Sequence, residues 1–237
     1  MKIAGAVALV TGANRGLGRH FATQLLERGA TKVYATARTP ESIDIPGVET
    51  LRIDVTDPAS IEAAAAVAGD VTLLVNNAGI STGTELLQGD LADIRRELET
   101  NFYGPLHTVR AFAPVLERNG GGAIVNMLSA LSWFAYPGSG AYSAGKAAAW
   151  NLTNSIRLEL APRGILVSGV HLGLADTDMA AGLDMPKTPP ADVVRTVLDG
   201  VEAGALEVVV DEWSAGVKAS LSRDPGEFYG DAARPTA

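Results

Sequence analysis

Cysteine is absent from the 237-residue sequence, which excludes disulfide bonds and thiolate-ligated metal sites. Histidine is scarce, and its three copies, His20, His107 and His171, are too scattered along the chain to suggest a cluster of metal ligands. His171 falls within an apolar run, so we interpret it as a satisfied strand residue and not as a catalytic base. We therefore predict no bound metal.

Positive charge is also in short supply. The sequence holds 19 lysines and arginines against 27 aspartates and glutamates, so its formal net charge is −8 and its pI is about 4.9. This balance argues against nucleic-acid partners and anionic membrane surfaces. No apolar run approaches the ~18 residues of a transmembrane helix, and residues 1–5 are too few for a signal peptide before the first apolar run. We predict a soluble cytoplasmic protein without membrane or nucleic-acid partners.

Apolar residues, in contrast, are plentiful. They make up 47% of the chain, with a mean hydropathy of +0.15, which is enough to cover both faces of a parallel sheet. Short apolar runs alternate with segments of helical periodicity, the pattern of a doubly wound α/β fold. No linker divides the chain, so we predict one domain over residues 1–237, ending in a loosely ordered tail at 222–237.

The alternation predicts both kinds of element. Strands are expected at 6–10, 32–37, 49–55, 71–75, 122–128, 165–171 and 207–210. Helices are expected at 17–28, 61–68, 91–118, 141–160, 193–203 and 211–221. Gly104 and Pro105 fall inside the long third helix and should bend or break it.

A glycine-rich turn follows the first predicted strand. Its glycines are Gly12, Gly16 and Gly18, a spacing that differs from the usual G-x-G-x-x-G fingerprint. Glycines allow the backbone to turn tightly and to approach a pyrophosphate, which the free amides of a helix start attract. Glycine is also simply turn-forming, so this motif alone is weak support for a phosphate site.

A hydroxyl, a phenol and an ammonium follow the fifth predicted strand. Ser129 falls at its carboxyl end, where open α/β sheets bind ligands. Tyr142 and Lys146 are four residues apart, so on a helix they share one face. An ammonium beside a tyrosine favours the phenolate and should move the tyrosine pKa from ~10 toward neutrality. We predict that Tyr142 is a general acid or base, although such a pair also occurs on many solvated helices.

These motifs, with Asn76, Asn77, Ala78, Gly79 and Asn101 between them, resemble the short-chain dehydrogenase/reductase family over roughly residues 5–210. The resemblance implies about seven parallel strands in the order 3-2-1-4-5-6-7. It also implies an oxidoreductase of the carbonyl reductase or alcohol dehydrogenase type. The catalytic group that it implies is Asn101, Ser129, Tyr142 and Lys146.

The resemblance gives each of these residues a role. Tyr142 transfers the proton, Ser129 hydrogen-bonds the carbonyl oxygen, and Lys146 lowers the tyrosine pKa while holding the nicotinamide ribose. Asn101 holds a water that connects the lysine to solvent. Because Asn101 lies beside the irregularity at 104–105, it could instead merely stabilise a kink.

The second predicted strand ends in Ala37 and Arg38, without the carboxylate that would hold a ribose 2′-hydroxyl. Arg38 and Arg15 could together bind a 2′-phosphate, or both could be ordinary surface arginines. We predict NADP(H) as the cofactor. The predicted cofactor contacts are Gly12, Asn14, Arg15, Gly16, Leu17, Gly18, Arg38, Asp54, Val55, Asn77, Ala78, Gly79, Tyr142, Lys146 and Thr177.

Two of these positions have other interpretations. The resemblance places Asp54 beside the adenine, but it could be a helix-entry acid before Pro58. The resemblance places Thr177 beside the carboxamide, but it could cap a helix before Met179. The chain also departs from the family pattern at Leu172, where proline is usual, and it lacks the frequent Val-Asp-Gly-Gly ending.

The substrate pocket is predicted from apolar residues near the catalytic group. They are Trp133, Phe134, Tyr136, Leu174, Met179 and Met185, and they indicate a hydrophobic ketone, aldehyde or secondary alcohol. The aromatic loop at 133–136 could equally pack against the protein itself.

Small residues at 144–149 would let a second helix approach closely, so we predict a homodimer or homotetramer built on helices 91–118 and 141–163. Two other functions are considered: a dinucleotide-binding regulatory or structural protein without turnover, and a dehydratase or epimerase. The intact group of Ser129, Tyr142 and Lys146 argues against the first. The second usually requires a larger carboxyl-terminal substrate region than this chain offers.

Overall fold

Parallel strands form the centre of the protein. A computed structural model describes residues 1–233 of the chain. Within that range seven strands pair in parallel in the order β3-β2-β1-β4-β5-β6-β7. They are β1 (Val7–Val10), β2 (Lys32–Ala37), β3 (Glu49–Arg52), β4 (Leu73–Asn76), β5 (Gly122–Met127), β6 (Ile165–His171) and β7 (Glu207–Val209). This topology confirms the predicted doubly wound, Rossmann-type α/β fold.

Helices connect successive strands and cover both faces of the sheet. The α-helices of the described range are α1 (Gly16–Glu27), α2 (Pro58–Val67), α3 (Leu91–Leu98), α4 (Gly104–Arg118), α5 (Gly140–Leu160), α6 (Pro190–Glu202), α7 (Glu212–Ala219) and α8 (Pro225–Tyr229). None of them combines the length and the apolar character that crossing a bilayer would require.

The hydrophobic core lies on both sides of the sheet. On one side Phe21 and Leu25 of α1 pack with Val197 of α6, and on the other Phe112 and Leu116 of α4 fill the space. All five side chains are fully buried, and each such burial contributes roughly 1.5–3 kcal/mol. The sheet is therefore held firmly, and its carboxyl edge is a rigid support for the loops that follow the strands.

The predicted helix at 91–118 is interrupted by one wide π-helical turn, Glu99–Tyr103, between α3 and α4. Pro105 has no N–H to donate to the carbonyl of Asn101, so the α-helical pattern cannot continue there. The Gly104 N–H bonds instead to the Glu99 carbonyl, five residues back. The predicted irregularity is confirmed, and it begins slightly earlier than the glycine and proline.

The segment expected to form a loose tail contains a short helix. In α8, the Phe228 ring lies edge-on to Phe134 with centroids 5.6 Å apart, and the Tyr229 hydroxyl accepts a hydrogen bond from the Ala135 N–H at 3.0 Å. The structure differs here from the sequence expectation because these aromatic residues find partners on the 133–136 loop. Residues 234–237, which also belong to the predicted tail, lie outside the described residues.

Candidate active site

The glycine turn is tied to the end of β4. The Asn77 side chain donates to the carbonyls of Thr11 and Gly12 at 2.9 and 3.2 Å, and the Thr11 hydroxyl accepts from the backbone N–H groups of Asn77 and Ala78, both at 3.0 Å. A β-carbon at Gly18 would lie 2.1 Å from the Gly12 carbonyl oxygen, so only glycine fits there. The backbone between β1 and α1 is therefore held in a tight turn beside the carboxyl edge of the sheet.

The two arginines predicted to bind a 2′-phosphate are exposed near this turn. Arg38 follows the last residue of β2 directly. Arg15 precedes α1, and its guanidinium lies 3.2 Å from the carboxylate of Asp178 in a solvent-exposed ion pair. Asn14 and Leu17, the other non-glycine residues predicted in the turn, are half-buried.

Two predicted cofactor residues lie after β3. Asp54 is half-buried, and its carboxylate accepts hydrogen bonds from the N–H and O–H of Thr56 at 3.0 and 2.7 Å. Val55 is buried. Asp54 thus holds a local turn over residues 54–56, and its backbone N–H and carbonyl bond to the hydroxyl of Ser60, in the first turn of α2, at 3.0 and 2.9 Å. Asp57 caps that helix.

Thr177 approaches the glycine turn from the loop after β6. Its methyl carbon lies 3.5 Å from where a β-carbon of Gly16 would be. It precedes a 3₁₀ turn, Asp178–Ala180, but its side chain makes no capping hydrogen bond. The capping alternative is therefore not supported, and Thr177 lies beside the first residue of α1.

Lys146 is almost completely buried, with 6% of its surface exposed. Its ammonium donates to the carbonyl of Met127, the last residue of β5, at 2.8 Å, and it lies 5.6 Å from the centre of the Tyr142 ring. Both side chains lie on one face of α5, as their spacing predicts. Burial lowers the pKa of Lys146 to about 8, and the nearby charge of Glu97 opposes this change.

The expected lowering of the Tyr142 pKa is wrong for this structure. Burial of the phenol raises the pKa of Tyr142 to about 12, a hydrogen bond with the Ser129 side chain partly opposes the rise, and the charge of Glu97 adds to it. The Tyr142 side chain is still partly accessible from the surface. The sequence reveals the i, i+4 spacing of Tyr142 and Lys146 but not the burial that raises the Tyr142 pKa.

Ser129 is fixed through its backbone. Its N–H donates to the Ser132 hydroxyl at 3.2 Å, its carbonyl lies 3.0 Å from Nδ1 of His171, and its own hydroxyl oxygen accepts from the Leu131 N–H at 3.1 Å. The Ser129 hydroxyl accepts from Leu131 and still has its own proton to donate. The Tyr142 side chain is within hydrogen-bond reach of that hydroxyl. His171 is fully buried and its Nε2 has no hydrogen-bond partner within the described residues, so only one side of the ring is satisfied.

Asn101 lies in the π-helical turn and is also buried. Its amide forms two hydrogen bonds with the backbone of Ile80 and a third, at 2.9 Å, with the carboxylate of Glu97. A β-carbon at Gly79 would lie 2.9 Å from Oδ1 of Asn101 and 3.6 Å from Nζ of Lys146. Both side chains therefore lie beside the loop that follows β4. Glu97 is not among the site residues predicted from the sequence, although its position four residues before Asn101 places both side chains on one helix face.

Two of the six predicted pocket residues line one cavity. Trp133 stacks on His171 with centroids 3.7 Å apart, and Trp133 and Phe134 line a shallow cavity of about 300 Å³. The other four residues are not among those that line this cavity; Leu174 is half-buried, and Tyr136, Met179 and Met185 are exposed at the surface.

The sheet order, the glycine turn at its carboxyl edge and the neighbouring side chains of Asn101, Ser129, Tyr142 and Lys146 define a Rossmann-type protein of the dehydrogenase kind. A family model described as short chain dehydrogenase matches residues 6–187. Because this match covers most of the sequence, the chain belongs to the short-chain dehydrogenase family of oxidoreductases.

Individual relatives agree with that assignment. The chain is similar to a short chain dehydrogenase from Burkholderia cenocepacia solved in complex with NADP, with a TM-score of 0.94 and 40% identity over 99% of this chain and 100% of that one. It is 34% identical to the 3-oxoacyl-(acyl-carrier-protein) reductase FabG of Salmonella typhimurium over 88% of each chain. It is also 34% identical to the NADPH-dependent 1-acyldihydroxyacetone phosphate reductase of Schizosaccharomyces pombe, over 71% of this chain and 60% of the relative.

Proposed function

We propose that this protein transfers a hydride between NADP(H) and a hydrophobic ketone or aldehyde, or the corresponding secondary alcohol. The observation that carries the proposal is the convergence of Ser129, Tyr142, Lys146 and Asn101 beyond the carboxyl ends of β4 and β5, next to the glycine turn. Open α/β sheets bind their ligands at this edge.

The residues present fit a dinucleotide phosphate. Gly16 and Gly18 place no side chains of their own at the start of α1, and backbone amides there attract a pyrophosphate. Arg15 and Arg38 offer two guanidinium groups for a 2′-phosphate, and β2 ends without a carboxylate. The NADP-bound relative and the NADPH-dependent relative support the same cofactor.

When bound, the nicotinamide ring supplies the hydride in reduction and takes it up in oxidation. In the reductive direction, Tyr142 donates its phenolic proton to the carbonyl oxygen of the substrate. A raised pKa suits this role, because it keeps the phenol protonated at neutral pH. Ser129 donates a hydrogen bond to the same oxygen, Lys146 holds the ribose, and Asn101 orders the polar path between Lys146 and solvent.

The substrate class follows from exposed apolar residues and from the relatives. Met179, Leu183 and Met185 are all about half exposed in the loop before α6, next to the proposed cofactor contact Thr177. Two of the three named relatives are reductases of molecules that combine a ketone with an acyl chain. We therefore include 3-oxoacyl thioesters among the hydrophobic carbonyl compounds that this site would reduce.

Replacing Tyr142 with phenylalanine tests the proposal. We expect Tyr142→Phe to reduce turnover by at least ~10²-fold, as the loss of a general acid usually does, while the Kd for NADPH stays unchanged. The measurement is NADPH oxidation with a panel of aromatic, aliphatic and 3-oxoacyl carbonyl compounds. Tyr103→Phe is the matched control, because Tyr103 carries the same group on an exposed position of the π-helical turn.

Two results would contradict the proposal. Near-parental turnover of Tyr142→Phe would remove Tyr142 from the chemistry. Tight NADPH binding by the parental protein without oxidation of NADPH by any compound of the panel would favour the alternative of a dinucleotide-binding protein without turnover.

A further inference from the structure

A carboxylate lies buried behind the proposed catalytic residues. Glu97 is 0% exposed. It is the second-to-last residue of α3 and lies four residues before Asn101 in the sequence. Its Oε1 accepts from the N–H of Thr82 at 2.5 Å and from the hydroxyl of Thr82 at 2.8 Å, and its Oε2 accepts from the Asn101 amide at 2.9 Å. Within residues 1–233 no basic side chain lies within ion-pair distance of it.

The surrounding groups require a carboxylate at this position. Asn101 cannot turn its amide over, because its Oδ1 accepts from the Ile80 N–H at 3.3 Å while its Nδ2 donates to the Ile80 carbonyl at 3.0 Å. Its N–H therefore always points at Glu97, and the N–H of Thr82 points at the other oxygen. A glutamine could accept from only one of these two fixed donors and would place its own N–H against the other.

Glu97 also lies close to the proposed catalytic side chains of α5. Its carbonyl oxygen would be 3.6 Å from a β-carbon at Gly145, so α3 and α5 meet beside Lys146. Its charge raises the pKa of Lys146 and that of Tyr142, in each case as a smaller effect than burial. The other titratable group around Lys146 is His171 on β6, and burial lowers the pKa of His171 to about 4, so it is neutral near pH 7.

Burying a charge without an ionic partner is expensive, and it is common in functional sites. We propose that Glu97 is a positioning residue of the active site, which holds the Asn101 side chain in place together with the backbone of Ile80 and keeps the Lys146 side chain an ammonium. This inference rests on the proposed function for its catalytic consequence, but the effect on Lys146 is a property of the protein alone.

The direct test follows the titration of Lys146 by NMR in protein labelled with ¹³C at the lysine ε-carbons. Lys146→Met identifies the signal. We expect Glu97→Gln to move the Lys146 midpoint to lower pH by about one unit, because an opposite charge is lost from its vicinity. Glu99→Gln is the matched control, since it removes the same charge from an exposed residue two positions along the chain, and it should leave the midpoint in place.

Kinetics test the consequence for turnover. We expect Glu97→Gln to lower kcat about tenfold or more through misplacement of Asn101 and Lys146. The alkaline limit of kcat should move to lower pH, because the pKa values of Lys146 and Tyr142 both fall. Glu97→Asp, which keeps the charge, should restore the parental Lys146 midpoint.

An unchanged Lys146 midpoint and a parental kcat in folded Glu97→Gln would overturn the proposal. If that variant does not fold, Thr82→Val is the second test, because it removes the hydroxyl that donates to Oε1 of Glu97. The proposal requires a several-fold loss of kcat in Thr82→Val. The control Ser81→Ala, at an exposed position, should not show this loss. A parental kcat in Thr82→Val would overturn it as well. A parental protein without NADPH turnover would instead contradict the proposed function, whereas the lysine titration would still decide the role of Glu97.

Discussion

At the scale of single residues, burial shifts the pKa values of the two central groups in opposite directions. Burial disfavours the charged form of any side chain, so it raises the pKa of Tyr142 and lowers that of Lys146. The spacing of the two residues in sequence is sufficient to place them together but not to give these directions. Glu97 reinforces the neutral phenol and opposes the neutral amine, so this one buried residue acts on both.

Cofactor preference is a second property that single residues control. We expect NADPH to bind more tightly than NADH by on the order of tenfold to several hundredfold, because guanidinium–phosphate contacts contribute roughly 1.5–3 kcal/mol when partly shielded. The exposed ion pair of Arg15 with Asp178 should not prevent this, since such pairs contribute only ~0–1 kcal/mol.

The corresponding experiment replaces Ala37 with aspartate and Arg38 with serine. The new carboxylate can accept from a ribose 2′-hydroxyl and repels a 2′-phosphate, so the preference should reverse toward NADH. The cofactor preference is measured as the Kd and the kcat/KM for NADPH and for NADH at low salt. Arg118→Ser, at the exposed end of α4, controls for the loss of one positive charge. Equal or better use of NADH by the parental protein would identify Arg15 and Arg38 as ordinary surface charges.

At the scale of elements, the strands were the most predictable part. Both the 32–37 and the 165–171 strands have the predicted bounds, because parallel strands buried on both faces give continuous apolar runs. The third strand was predicted to reach residue 55 but ends at Arg52. Arg52 pairs with Ala37, the last residue of β2, so no partner strand remains for the residues beyond it.

Elements that depend on contacts from elsewhere in the chain could not be predicted in the same way. Glu97 follows Arg95 and Arg96, and this charged run is typical of a solvated helix face, yet its carboxylate is enclosed by Thr82 and Asn101. Similarly, α8 has five residues, too few to form from local preference alone, and it exists where Phe134 offers a surface.

That surface leads to a prediction for α8. Because Phe228 packs on Phe134, we expect Phe228→Ala to destabilise the fold by about 1 kcal/mol, which corresponds to a Tm lower by roughly 2–4 °C in a protein of this size. The loosened 133–136 loop should raise the KM for the carbonyl substrate and leave that for NADPH unchanged. Leu221→Ala, at an exposed position before α8, is the control, and equal effects of both variants would mean that α8 does not support the loop.

At the scale of the whole molecule, fewer of the small residues of α5 are exposed for the predicted contact between subunits than the sequence suggests. Of the small residues at 144–149, Gly145 and Ala149 face inward and are buried, while Ala144 and Ala147 are exposed. At Gly145 α5 packs beside the π-helical turn, where a β-carbon would lie 3.4 Å from that of Asn101, at the limit of ordinary van der Waals contact. The exposed face of α5 continues to Leu158, which is 78% exposed.

We predict that a second copy of the chain covers this exposed leucine and the exposed alanines in line with it. We expect sedimentation velocity at micromolar concentration to give at least twice the 24.5 kDa chain mass. Leu158→Asp should shift the protein toward monomer, because it places a charge in an apolar contact without disturbing the core. Leu87→Asp, at a position that is 98% exposed and outside both helices, should leave the mass unchanged. A parental protein that sediments as a monomer would contradict the predicted contact, and it would make Leu158 one of the isolated exposed leucines that monomeric proteins tolerate.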